Sequence, residues 1–318
     1  MRDARTLGLV VGVSVLLGTA TAVTFFLQRR TDSGLDPAIV ESFRTRIRAW
    51  WILLTALAAA FLIGKVATVF LFWAVSFWAL REFITLTPTR PADHRTLFWV
   101  FFLLTPAQFI LVGMNQYWLY SVLIPVYAFL LIPARIAFSG DSKRFLERTA
   151  KIEAGLLICV YCLSYAPALL ALDIKGTRWH NLSLLSLLFF FILIVQLSDV
   201  FQYAWSQLPS KHPIVPTIQP SKTWEGLLGG TATSALLGAA LWWATPFPPW
   251  MAALMSLVVA LMGAAGSLTM SAIKRDRGVK DYGTLVEGHG VVLDRVDSIC
   301  FAAPVFFHFT QYFLGLVK

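Results

Sequence analysis

Charge is what this sequence has little of. Asp, Glu, Lys and Arg make up 14% of its 318 residues, against about a quarter in a soluble domain, while 58% of the residues are hydrophobic. That balance excludes an ordinary water-soluble globule. Cysteine is scarce as well, with only Cys159, Cys162 and Cys300. Cys159-Val-Tyr-Cys162 has CxxC spacing, but it lies inside an apolar run and has no second ligand pair. Helix packing is therefore a better reading of it than a zinc or redox centre. The apolar runs are continuous rather than alternating, which excludes a membrane β-barrel. There is no internal repeat and no low-complexity tract. Only helices and closed barrels satisfy the backbone in lipid, so the sequence predicts an all-α, polytopic integral membrane protein.

The residues that are present fit that frame. Apolar runs at 7–27, 50–64, 66–80, 97–113, 118–133, 154–172, 182–197, 227–243, 250–270 and 299–317 give about ten transmembrane helices. The first run is preceded by Arg2 and Arg5, but Arg29-Arg30 come directly after it. It reads as an anchor rather than a cleaved leader. The 50–80 region is split by Gly64-Lys65 and reads as a hairpin of two short helices, with one long tilted helix as the alternative. The chain then divides into three parts: an N-terminal anchor and linker (1–49), a first group of helices (50–172) and a C-terminal domain (173–318) that holds most of the candidate chemistry.

Basic residues fix the expected topology. With the loop at 271–298 placed inside, 20 of the 26 Lys and Arg residues fall on the inner side, as the positive-inside rule requires. Both charged loops, 198–226 and 271–298, then face the cytosol from the cell's inner membrane. The net charge of +9 reads as basic loops with membrane lipids and anionic lipid or nucleotide partners, and not as a nucleic-acid surface.

The chain is organised around Ser271–Asp297, which holds ten charges between two apolar runs. Burying ten charges at mid-membrane would cost on the order of 25–35 kcal/mol, so the stretch lies at the membrane surface or lines a wet cavity. Its acids, its bases, one histidine and the glycines at 288 and 290 suit the joint holding of metal and phosphate. A charged loop that only sets topology is the simpler reading. The acids also have a plain alternative, since carboxylates favour helix N-termini whatever their function.

The spacing adds more. Ser271-x-x-Lys274-Arg275-x4-Lys280-Asp281-x-Gly283, then Gly288-His289-Gly290, then Asp294-Arg295-x-Asp297 closely resembles the signature of the phosphatidate cytidylyltransferases. A second element, Asp199-x3-Tyr203 with a downstream Pro220-Ser-Lys222-Thr223-Trp224-Glu225-Gly226, is similar to that family's Lys-Thr-Trp-Glu-Gly loop. The resemblance covers roughly residues 198–297. It implies a membrane enzyme that condenses CTP with phosphatidic acid to CDP-diacylglycerol and pyrophosphate in a cytosol-facing polar cavity, with Mg²⁺ as cofactor.

Residue by residue, the resemblance implies Asp281, Asp294, Asp297, Lys280 and His289 as catalytic groups. Lys222, Lys274, Arg275, Arg295, Tyr203 and Thr223 would bind substrate. Asp199, Asp281, Asp294, Asp297 and Glu225 would be candidate metal ligands. Glu287 stands where the family usually has Pro or Gly, and Val291 where it has Gly. These departures motivate the alternative of a catalytically silent relative that binds lipid or nucleotide, or transports. The Asp-x2-Asp-Gly-x2-Ala-Arg run of a CDP-alcohol phosphotransferase is missing. The sequence leaves the oligomeric state open, a homodimer included.

Overall fold

The computed structural model describes residues 4–29, 51–86, 89–172, 184–208, 212–278 and 292–315. Among the described residues all regular structure is helical, apart from an isolated β-bridge. The chain divides into two compact units, Met1–Thr68 and Val69–Lys318. The first contains α1 (Ala4–Arg29) and α2 (Trp51–Ile63). Within it the Trp51 indole N–H donates to Thr21 Oγ1 at 3.1 Å. Gly64 comes after α2 with φ +120°, a backbone state that side chains other than glycine's resist. The 50–80 region is accordingly two helices and not one.

The second unit is the helical bundle. Its elements are α3 (Lys65–Thr85, whose first turn belongs to the first unit), α4 (Pro91–Gly113), α5 (Tyr117–Ala137) and α6 (Phe145–Ala171). The chain continues through α7 (Leu184–Trp205), α8 (Trp224–Ala240), α9 (Pro249–Asp276) and α10 (Leu293–Phe313). Each of α4, α5 and α6 contains a π-helical stretch, at Val100–Leu104, Leu123–Ala128 and Leu157–Cys162. Pro106, Pro125 and Pro167 lie in or near those stretches, and a proline cannot donate to the i−4 carbonyl of a regular helix.

Within the described residues, each expected apolar run falls mainly on one of these helices. Six of them, α3 to α7 and α9, are long and apolar enough to cross a membrane. The expectation of ten is thus met in part. α2 is short, and α8 has 17 residues, or about 26 Å of helix against the roughly 30 Å of a hydrocarbon core. α10 has the length but carries Asp294, Arg295, Asp297 and His308.

Helix ends overshoot the apolar runs. α7 continues through Asp199 and Tyr203, and α10 begins at Leu293, well before the run at 299. Hydropathy marks lipid contact, whereas helices end where backbone capping changes.

Packing gives the bundle two chemically distinct ends. At one, the Glu82 carboxylate near the end of α3 meets the start of α10. Arg277 after α9 approaches Glu147 at the start of α6, at 3.9 Å. At this same end the buried Arg148 guanidinium Nε–H meets the buried Asp93 carboxylate at 3.0 and 3.1 Å. Arg148 Nη1 also donates to the Asp141 and Lys143 carbonyls, both at 3.0 Å. That network joins the start of α4 to the α5–α6 connection. The other end is aromatic. Tyr117 stacks on Phe307, Phe247 meets Phe313 edge-on, and Ser186 Oγ donates to the Ala244 carbonyl at 2.9 Å.

Small residues draw α7, α8, α9 and α10 together at the charged end. A Cβ at Gly230 of α8 would lie 2.7 Å from the Gln202 backbone, and one at Gly266 of α9 would lie 2.7 Å from the Asp297 carbonyl oxygen. Such approaches exist only where a side chain is missing.

Candidate active site

The 212–223 connection is shaped by its own backbone before any chemistry is added. Ile214 N–H donates to the Lys222 carbonyl at 2.9 Å and Trp224 N–H to the His212 carbonyl at 3.0 Å. Pro213 pairs with Thr223 as an antiparallel bridge. Thr223 then caps α8, its Oγ1 accepting from Gly226 N–H at 3.0 Å. Lys-Thr-Trp-Glu-Gly is therefore a helix start, and the lysine directly precedes Thr223, which is both bridge residue and cap. The loop is tied to α9 as well. Ser271 Oγ meets Gln219 Oε1 at 3.3 Å, and Arg275 Nε donates to the Ile218 carbonyl at 3.1 Å.

This loop and the ends of α7, α9 and α10 enclose a cavity of about 230 Å³. Asp199, Tyr203, Lys222, Thr223, Asp294 and Asp297 all line it. Residues nominated from two stretches about a hundred positions apart thus share one space. Lys222 Nζ donates to Gln202 Oε1 at 3.0 Å. Burial pushes its ammonium below the ordinary lysine range, and the carboxylates of Asp199 and Asp297 oppose that shift. Asp297 is buried and accepts from Ser298 N–H at 2.7 Å, while Ser298 Oγ donates to Asp199 Oδ2 at 2.8 Å. One serine therefore links the carboxylates of two helices. Asp294, in the first turn of α10, pairs with Lys274 Nζ at 2.8 Å.

Other nominated residues sit elsewhere. Glu225 turns to His212, accepting from its backbone N–H at 3.2 Å and pairing with its ring Nδ1. It does not line the cavity. Arg275 and Arg295 are exposed outside the cavity, and the Arg295 carbonyl accepts from Gln196 Nε2 at 3.0 Å. Lys274 reaches the cavity through Asp294. Lys280, Asp281 and His289 lie outside the described residues, as do Glu287 and Val291.

The cavity wall also contains residues that the sequence reading missed, chiefly Gln202, Ser206, Gln219 and Ser267. Gln202 and Ser206 succeed Asp199 at helical spacing, Gln202 on α7 and Ser206 in the turn directly after it. That spacing was a usable signal once α7 was known to extend so far. Among the described residues, no three His, Cys, Asp or Glu side chains converge closely enough to hold a metal ion by themselves. The available donors are hard carboxylate oxygens from α7 and α10 in a polar cavity. They fit an ion such as Mg²⁺ that takes one or two protein carboxylates and fills its remaining positions with phosphate oxygens and water.

Comparison with known proteins agrees with the geometry. The model of the cytidylyltransferase family matches residues 44–313. The chain is 35% identical over 271 residues to the uncharacterized protein YnbB of Escherichia coli, covering 84% of this chain and 87% of that one. It is 41% identical over 121 residues to the phosphatidate cytidylyltransferase of Mycobacterium leprae, covering 37% of this chain and 38% of the relative. With the phosphatidate cytidylyltransferase of Staphylococcus haemolyticus it shares 36% identity over 115 residues, covering 36% of this chain and 44% of the relative. The matches to these two phosphatidate cytidylyltransferases therefore span less than half of their length. The family match covers most of the sequence, the bundle and the cavity included, and the chain belongs to the cytidylyltransferase family.

Proposed function

We propose that this protein transfers the cytidylyl group of CTP to phosphatidic acid, or to a closely related lipid phosphate, giving a CDP-lipid and pyrophosphate. The observation that carries the reading is the meeting of Asp199 and Lys222 with Asp294 and Asp297 in one polar cavity at the charged end of a membrane bundle. An anionic headgroup and a nucleotide triphosphate need such a place. It must be polar, fringed by cations and next to the lipid surface. In this reading all ten helices cross the membrane, and the charged end faces the cytosol, where CTP is found.

A lipid phosphate oxygen attacks the α-phosphorus of CTP, the bond from that phosphorus to the β-phosphate bridging oxygen breaks, and pyrophosphate leaves. Positioning and charge neutralisation supply most of the acceleration in such a transfer. Lys222 meets a phosphate oxygen, held in place by Gln202 and by the capped hairpin. One or two of the carboxylates of Asp294 and Asp297 on α10 and Asp199 on α7 would hold Mg²⁺, which would supply charge neutralisation for the triphosphate. Lys274 steadies Asp294.

The test is CDP-lipid formation from labelled CTP by purified protein offered mixed lipid phosphates, with Mg²⁺ and with EDTA. The expected result is a CDP-lipid that requires Mg²⁺, with synthesis lost in Asp294→Ala at intact expression. If wild-type protein binds CTP in titration calorimetry without turnover, it is a binding relic and the reading fails.

A further inference from the structure

The N-terminus of α10 carries Asp294 and Asp297, yet its own sequence does not cap it. The N-cap position is Val292, which offers no side-chain acceptor. The first amides of a helix need acceptors from elsewhere. Here they come from α3, some 210 residues upstream. Glu82 Oε2 accepts from Leu293 N–H at 2.7 Å, and Glu82 Oε1 accepts from Val292 N–H at 3.3 Å. Glu82 is buried, 8% exposed, and among the described residues no Lys or Arg forms an ion pair with it. A carboxylate held this way satisfies two amides and complements the positive end of the helix dipole.

The cap matters because of the two aspartates just beyond it. Asp294 is one residue past Leu293, and Asp297 is one turn further. Gly266 fixes the approach of α9 at the Asp297 carbonyl, and the Asp199–Ser298 bond fixes α7. Those contacts set the lateral position of α10, and among the described residues its first turn is tied by Gln196 at the Arg295 carbonyl, by Lys274 at Asp294 and, at the leading amides, by Glu82. Loss of the Glu82 carboxylate would let that turn fray and would carry Asp294 with it.

We propose that Glu82 is a positioning residue for the cytidylyltransferase site. As a cap supplied by another helix, it sets where Asp294 and Asp297 stand in the cavity. This rests on the function proposed above. It assigns to the N-terminal half of the bundle, outside the signature elements, a part in arranging the reaction centre. Glu82 touches no reacting atom in this account and acts through the α10 backbone.

The experiment uses the full chain purified in lipid nanodiscs as wild type, Glu82→Ala, Glu82→Gln and Glu82→Asp. Backbone amide exchange is followed over the peptide spanning 292–298, together with kcat and KM for CTP. Exchange there is expected to accelerate in Glu82→Ala and Glu82→Asp and to stay nearer wild type in Glu82→Gln, whose amide oxygen still accepts. The kcat of Glu82→Ala is expected to fall by up to about 10²-fold, the cost of a misplacement near 1 Å, with little change in KM for CTP and with partial rescue in Glu82→Gln. A role confined to folding would lower the yield of folded protein and leave kcat per folded molecule unchanged, and that result overturns the inference. Unchanged exchange in Glu82→Ala overturns it whatever the activity. Should wild type itself make no CDP-lipid, the function reading fails separately, and exchange alone decides whether Glu82 holds the turn.

Discussion

Lys222 shows how much one side chain depends on its frame. It lies in the only stretch of 198–226 that turns back on itself among the described residues, and its neighbour Thr223 starts a helix. The ammonium is therefore fixed with few backbone degrees of freedom. Because burial lowers its pKa, it loses its charge at a lower pH than an exposed lysine would. A lysine is charged below its pKa, so affinity for CTP should be full on the acid side of that lowered value and decline as pH rises through it. Arginine stays charged across the whole range. Titration calorimetry of CTP against pH is expected to show an alkaline decline for wild type, no such decline for Lys222→Arg, and weak binding throughout for Lys222→Ala. A wild-type curve that matches that of Lys222→Arg would remove Lys222 from the binding site. A shared site for Lys222, Asp294 and Asp297 could be proposed from sequence because spacing along the chain singles them out, and all three line the cavity. Gln202 and Ser298 were not, because their importance comes from which helix they face, and that register is set only when α7, α8 and α10 pack.

The helices themselves were legible wherever an apolar run marked them, and their ends were not. α10 illustrates this. Its hydrophobic run begins near 299, but its backbone is helical from Leu293, where Glu82 of a distant helix accepts from the leading amides. The close packing of α9 on α10 was equally hidden. Gly266 looks like any glycine of an apolar helix, yet a Cβ there would meet the Asp297 carbonyl oxygen at 2.7 Å and Phe301 at 3.0 Å. Backbone cannot move aside as a flexible side chain can. Gly266→Ala should therefore part the two helices and lower stability by about 1–3 kcal/mol, the usual cost of overpacking. It should also reduce activity by displacing Asp297. Gly263, one turn away on the same helix, is a built-in control, since its Cβ would approach nothing nearer than the Ser298 side chain at 3.4 Å. Thermal unfolding in detergent should separate the two variants, with Gly263→Ala near wild type. Equal loss in both would mean that general crowding along α9, rather than the approach to the Asp297 carbonyl, governs this surface, since alanine's higher helix propensity would by itself stabilise both variants.

The Val69–Lys318 unit is polarised, and its polarity is a physical requirement of the reaction proposed for it. Ion pairs and caps collect at one end, where Arg148, Glu82, Lys274 and Arg277 all find partners, and aromatic contacts close the other. The distribution of Lys and Arg along the sequence anticipated this division, because each crossing of the membrane reverses the side and charge can be tallied loop by loop. It could not anticipate which loops touch. The 138–144 connection and the 212–223 hairpin lie at the same end of the unit, and if CTP is the substrate that end faces the cytosol. Single cysteines placed in a background lacking Cys159, Cys162 and Cys300 test this directly. Gln116→Cys, in the exposed turn between α4 and α5, should react with an impermeant maleimide added to intact cells. Ser142→Cys and Thr217→Cys, both exposed at the charged end, should react only after the membrane is opened. Opposite behaviour of Ser142→Cys and Thr217→Cys would put the two loops on different faces and separate the ion-pair network from the cavity. Labelling of both from outside would keep the cavity intact but turn it away from cytosolic CTP, and a cytidylyltransfer reaction could not be fed there.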